Sequence, residues 1–512
     1  VAFIASVCIL RADTPLRVGR ITIIAKPVFD AGETGGGGFY RAVNLLHVQT
    51  PAALLRRFLL FKEGDPFDAS KLAETERNFR QFDFLKSVSV IASPPHDGLV
   101  DVTVMTEDEW TTDVNGDFSN DGGRDTYSAN VSQKDLFGSG SALDLLLDHG
   151  LERNTAAVAF FDPSALGPYW NLNALFAKSS DGDEERIALD RPLFSYTTRS
   201  AADLLLDHLR CQERIYQGGE IAARFQQEHR QVTVSKSHVL HSDPNRSTAI
   251  VAGVDVVDDS FSRVAGRPLD VLPAARRFRF LDLGYESTGR RFVKLNYVDR
   301  DLLDEDFNLG GFTSVHVAVS PRISNHSPLT WRGRAAAGFA KVFSSNSFFI
   351  AQISASTRAP RNRNSILSFD GRSITRFHTH YPQAFVTRMR LDAGWQLDRD
   401  VQFLADGESG LRAYPAFAFA GSRRLIVNAE HRLFLGRELF QLFGPSVAVF
   451  ADSGQAVNGA FRTMKSDAGA GLRIGIARYD SALIRIDWAY AFNDSPQSRR
   501  GGVWSIATGH AF

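Results

Sequence analysis

Apolar and polar residues alternate with a period of two along the C-terminal part of the chain. Leu425, Val427 and Ala429 share one parity, and Asn428, Glu430 and Arg432 share the other. Val447, Val449 and Ala451 alternate with Phe450, Asp452 and Gly454, and Leu472, Ile474 and Ile476 with Gly471, Arg473 and Gly475. Ile484, Ile486, Trp488 and Tyr490 oppose Arg485 and Asp487, and a last segment runs from Trp504 to Phe512. A period of two predicts β-strands, each with one greasy and one polar face. Within the central stretch of these four internal strands the arginines and acidic residues keep to one parity, so one face excludes charge there. A protein core or a lipid phase would impose the same rule.

Upstream, Trp110 to Phe118, Tyr127 to Gln133, Ser141 to Asp148 and Ala156 to Phe161 read as successive strands, as do Trp170 to Ala174 and Ser314 to Val319. Their connections are rich in Asp, Gly, Ser and Asn, as in Ser119-Asn120-Asp121-Gly122-Gly123. Residues 13–107 follow another pattern. Val18 to Ala25 is a strand, and Pro51 to Leu60 has helical spacing with proline at its start. A second helix, capped by Asp68 or Ser70, carries Leu72, Phe79 and Phe82 on one side. Lys86 to Ala92 and Leu99 to Thr106 are strands joined by a Pro-Pro-His-Asp-Gly turn. Strand, helix, helix, strand, strand makes a small α+β domain with a core of its own. Before it, Val1 to Leu10 is an apolar run that fits a signal-peptide h-region of about 7–15 residues, so residues 1–12 are expected to be a signal-peptide remnant.

Composition narrows the choice of phase. The formal net charge of the 512 residues is zero, so nothing argues for nucleic acid. The two cysteines, Cys8 and Cys211, exclude a disulfide scaffold and a cysteine-built metal site. No run of 18 apolar residues offers a transmembrane helix. The 39 phenylalanines and 41 glycines, with pervasive alternation, fit a membrane β-barrel or a soluble all-β repeat protein, and composition leaves both open. Charge weighs toward the barrel. Turning Arg432, Arg473 or Arg485 to lipid would cost about 2–4 kcal/mol each near the bilayer midplane, and the parity avoids this in every strand. Trp488 and Tyr490, bracketing the apolar stripe, suit a membrane interface.

No Gly-x-Ser-x-Gly elbow and no phosphate-binding Gly-x-x-x-x-Gly-Lys loop occurs. Gly35 to Gly38 reads as a flexible loop. His378-Thr379-His380 puts two imidazoles on one strand face; lacking a third ligand, it is expected to be polar barrel lining. The acidic run Asp301 to Asp306 reads as a solvated loop. No catalytic residue, cofactor or metal is expected, and the chain is not expected to be an enzyme.

Two stretches carry a family resemblance. Leu59-Leu60-Phe61-Lys62-Glu63-Gly64-Asp65-Pro66-Phe67-Asp68, with Leu72, Glu76, Arg77, Phe84-Leu85 and the strand Val100 to Val104, resembles a POTRA domain. Gly410-Leu411-Arg412-Ala413-Tyr414 resembles the lumen-loop motif of the BamA/TamA-like outer-membrane assembly superfamily, with Ala413 where the family usually has glycine. Phe450, Asp452 and Gly454 are similar to its inner-wall Phe-x-Asp-x-Gly strand. The resemblance implies a mainly β fold: a periplasmic α+β POTRA domain (13–107) before a transmembrane antiparallel β-barrel of about sixteen strands (108–512). It implies that Arg412 hangs on a loop folded into the lumen and pairs with Asp452, with Glu430 a second candidate. Trp504 and Phe512 would belong to the barrel's C-terminal signal, although His510 stands where such signals usually carry an aromatic. The implied partners are outer-membrane lipids and unfolded outer-membrane or secreted proteins received by the POTRA domain. The implied role is insertion or translocation of proteins at the bacterial outer membrane, the alternatives being a passive pore or surface antigen and a two-partner-type secretion transporter.

Overall fold

The computed structural model describes residues 15–28, 48–121, 124–264, 272–299, 305–322, 328–360, 363–435, 439, 443–476, 483–497 and 499–508. The expected signal remnant, the Gly35 to Gly38 loop, most of the Asp301 to Asp306 run, His510 and Phe512 lie outside them. The chain divides into two compact units, Val1–Asp108 and Glu109–Phe512.

The first unit holds β1 (Arg17–Lys26), α1 (Ala52–Arg57), α2 (Ala69–Phe79), β2 (Leu85–Ala92) and β3 (Leu99–Asp108). β3 is central, parallel to β1 and antiparallel to β2. Its alternate residues Val100, Val102 and Val104 are buried, as are Leu54 and Leu55 of α1 and Leu72 and Phe79 of α2. Asp68, rather than Ser70, caps α2, its side chain accepting a hydrogen bond from the Ser70 N–H at 2.9 Å. Helix α1 stops at Arg57, short of Leu60, and Phe58 then turns its ring edge-on to Phe82 with centroids 5.0 Å apart.

The second unit opens with β4 (Thr112–Asp121), β5 (Arg124–Gln133), β6 (Ala142–His149), β7 (Asn154–Asp162), β8 (Asn171–Ser179) and β9 (Gly182–Arg191). Three long strands follow: β10 (Ser200–Gln217), β11 (Glu220–Ser242) and β12 (Arg246–Arg263), of 18, 23 and 18 residues. After β13 (Arg276–Gly289), the short strands β14 (Phe292–Leu295) and β15 (Glu305–Asn308) pair only with each other. Then come β16 (Phe312–Ser320), β17 (Thr330–Ser344), β18 (Ser347–Ala359), β19 (Arg363–His378) and β20 (Pro382–Trp395). A second short pair, β21 (Phe403–Ala405) and β22 (Phe419–Gly421), precedes β23 (Arg423–Phe434) and β24 (Phe443–Val457). β25 (Lys465–Ile476), β26 (Leu483–Ala491) and β27 (Gly502–Thr508) end the chain.

Leaving out the two short pairs, these strands form one sheet in chain order, which closes into a barrel where β27 meets β4. Every registered neighbour in it is antiparallel, as hairpin connections require. Among the described residues the sheet has twenty strands, not about sixteen. The expectation spread the span evenly at roughly 25 residues per strand with its connection. Instead, β4 to β9 are short strands on tight turns and fit six strands between Thr112 and Arg191.

The two faces of the sheet are chemically inverted relative to a soluble protein. Val427, Val447, Val449, Leu472, Trp488 and Trp504 are exposed on the outside. The alternate positions Asn428, Glu430, Arg432, Asp452, Arg473 and Asp487 are buried inside. A soluble barrel would put grease inside and charge outside. Among the described residues no helix is long and apolar enough to cross a membrane, which says nothing of the strands.

Candidate functional site: an arginine loop anchored in the barrel lumen

Residues 396–422 connect β20 to β23 and carry Arg412 to the inner wall. Asp406 organises the bend. Its carboxylate accepts hydrogen bonds from the Ser409 N–H at 3.0 Å and the Phe417 N–H at 2.7 Å, and its carbonyl accepts from the Leu411 N–H at 2.8 Å. Gly410 stands at φ +115°, a backbone conformation that side chains make costly. The loop's apolar side, Leu411, Ala413, Tyr414 and Ala418, packs on Ile426, Phe450 and Ala489 of the wall. The Tyr414 hydroxyl donates to the Ser466 carbonyl at 2.9 Å. Ala413 is buried in that cluster and leaves the arginine's placement intact.

Arg412 is held on three sides. Its Nε and Nη2 donate to the two oxygens of Asp452, at 2.7 and 3.0 Å, in a bidentate pair. Its Nη1 donates to Glu430 Oε2 at 2.6 Å. The guanidinium carbon lies 3.4 Å from the centroid of the Phe450 ring, a cation–π contact. Burial works against the charge on Arg412, and the carboxylates of Asp452, Glu430 and Asp487 outweigh it, so the guanidinium is held charged more firmly than usual. Asn428 steadies both partners, donating from Nδ2 to the Gly410 carbonyl at 2.6 Å and to Asp452 Oδ1 at 2.7 Å.

The ion pairs continue along the wall. Glu430 also accepts from Arg432 Nε at 2.8 Å and from Arg473 Nη2 at 3.4 Å, and Arg473 pairs in turn with Asp487. Asp467 is buried in cross-strand register with Asp452. Close approach governs the two glycines beside this hub. A Cβ on Gly454 would lie 2.7 Å from the Leu425 carbonyl oxygen, and one on Gly469 would lie 2.5 Å from the Phe450 ring.

The structure thus brings together Arg412, Tyr414, Glu430, Phe450, Asp452 and Gly454. Trp504 is elsewhere, on the outer face of β27 opposite Trp488, and Phe512 lies outside the described residues. His380 is not on a strand face with His378; β19 ends at His378, and His380 sits in the turn against Tyr381. Sequence reasoning missed Asp406, Asn428, Asp467 and Gly469 as members of the site. Asn428 had a signal, sharing the inward parity of Glu430 two positions away. Asp406 had none, since only the folded bend gives it donors.

The site is thus a basic loop tied to the inner wall of a closed antiparallel barrel. CdiB from Acinetobacter baumannii matches over 96% of this chain and 74% of that chain, at TM-score 0.51 and 12% identity. CdiB from Escherichia coli (TM-score 0.45, 12% identity, 96% and 77% covered) and BamA from Haemophilus ducreyi lacking POTRA domains 1–3 (0.39, 12%, 96% and 84%) are also similar. The chain has the fold of the CdiB barrel. No family model matches the chain, and no curated protein does.

Proposed function

We propose that this protein is a bacterial outer-membrane barrel of the BamA/TamA-like superfamily that assists insertion or translocation of proteins at that membrane. The observation that carries the reading is the loop arginine, Arg412, seated on Asp452 and Glu430 inside a barrel whose outer face is apolar. A charge pair out of bulk water fixes a loop in one place, because removing either member strands the other. The outward grease and inward charge support a lipid surround, where a closed sheet satisfies its own backbone.

In this reading the first unit is a periplasmic POTRA domain, residues 13–107. Its sheet ends on β2 and β1, and such an edge can receive an extended, unfolded substrate segment by strand addition. The partners are outer-membrane lipids and unfolded outer-membrane or secreted proteins. The proposed role is non-enzymatic.

Depletion in the native host, with quantitation of outer-membrane proteins and lipids, tests the proposal. A general fall in barrel proteins is the expected result. Loss of a single exported protein would replace insertion by dedicated secretion, and no change would leave a passive pore or surface antigen.

A further inference from the structure

The barrel lumen receives a second inserted segment. β14 and β15 follow β13, and the loop carrying Arg412 follows β20. β13 and β20 run in opposite directions, five strands apart in an antiparallel series, so the two insertions enter from opposite ends. Val298 and Leu309 are buried against Phe348, Ile374, Ala384, Val386 and Phe434. These are inner-wall positions: Phe385, between Ala384 and Val386, is exposed on the outside. An apolar patch inside a charged lumen is thus covered by the short hairpin.

Polar contacts fix the hairpin's depth. Arg432 donates from Nη1 to the Val298 carbonyl at 2.6 Å and to Asp299 Oδ1 at 3.2 Å. Arg372 forms a two-pronged pair with the same Asp299. Arg432 also holds Glu430, and Glu430 holds Arg412. A continuous chain of ion pairs, buried from Arg432 onward and starting at the partly exposed Asp299, therefore runs Asp299, Arg432, Glu430, Arg412, Asp452, from one insertion to the other.

We infer that the two insertions are interlocked, so that releasing either one loosens the other. The reason is electrostatic. Withdrawing Asp299 takes away a carboxylate that Arg432 and Arg372 share, and so changes the charge balance at Glu430, which pairs with Arg412, Arg432 and Arg473. In a low-dielectric site, each lost partner weakens how the remaining charges are shared. Coupling between sites is reciprocal in free energy, so the effect runs both ways.

Hydrogen exchange on the full-length protein in detergent micelles tests this. Asp299→Asn should speed exchange of amides 406–418 by about fivefold or more, although Asp299 lies in the other insertion. Arg412→Gln should speed exchange of amides 292–298 by a similar factor, and Asp299→Glu should restore the slow rate. Should Asp299→Asn fail to fold, Arg412→Gln read at 292–298 decides the question alone. Acceleration confined to the mutated segment, or spread evenly over the wall strands β16 and β17, would overturn the interlock.

Discussion

Arg412 and Asp452 meet side by side, Nε on one carboxylate oxygen and Nη2 on the other, across forty residues of sequence. Both are almost wholly withdrawn from solvent. Breaking such a pair by removing one member costs about 3–5 kcal/mol, because the survivor stays buried and charged. Arg412→Ala and Asp452→Asn should each lower the urea midpoint in micelles, and the double variant should lose less than the sum of the two. A coupling of about 0.5–3 kcal/mol is expected from the double-mutant cycle. Strict additivity would sink the pairing.

The Phe450 ring is pinned between Arg412 and Gly469. Phe450→Leu keeps most of the apolar volume and gives up the ring's attraction for the cation, at a cost of about 2 kcal/mol in a desolvated site. Gly469→Ala drives a methyl toward the Phe450 ring and the Trp488 carbonyl, 2.1 Å away, so it should be the more damaging. Thermal unfolding followed by gel mobility ranks them. The reverse order would mean that the strand backs away from the ring without difficulty.

The two faces should respond oppositely to one added arginine. Val449→Arg places the charge on the apolar outside and should cost about 2–4 kcal/mol near the bilayer midplane. Gln352→Arg places it opposite Asp370 in strand register, beside a lumen cavity, and should be tolerated. The folded, heat-modifiable fraction in membranes reports both. Equal yields would remove the case for lipid outside.

In the first unit, Asp68→Ala removes the only side-chain cap of α2. The expected loss is about 1 kcal/mol, seen as faster amide exchange in residues 69–79 with the barrel unaffected. Unchanged exchange there would show that tertiary packing, of Leu72 in the first turn above all, holds the helix start without the cap.

How far the sequence carried can be judged residue by residue. Strand faces were legible because inward Glu430, Arg432 and Arg473 and outward Val427, Val449 and Leu472 obey one two-residue period. The pairing of Arg412 with Asp452 was legible only through the resemblance, since no spacing rule links a loop residue to a strand forty positions on. Strand number was not, because β4 to β9 turn more tightly than an even division of the span allows. The part of the hairpin at Val298 and Asp299 was hidden altogether. The solvated-loop reading covered Asp301 to Asp306 and not Asp299, whose pairing with Arg432 exists only once the wall is assembled.

β11, at 23 residues, is about 75 Å of extended chain, whereas about 9–11 tilted residues cross an outer membrane. The strands that meet at the closure, β4 and β27, have ten and seven described residues. The barrel therefore has a one-sided parapet, raised by β10 to β12 roughly across from the closure. Within β11, Gln226 to Arg230 is polar at every position, as a wall standing in water must be, while Ile221, Ala223 and Phe225 share one face nearer its start. A molecule approaching from that side meets the parapet before the mouth, while one approaching from the other finds the opening near bilayer level.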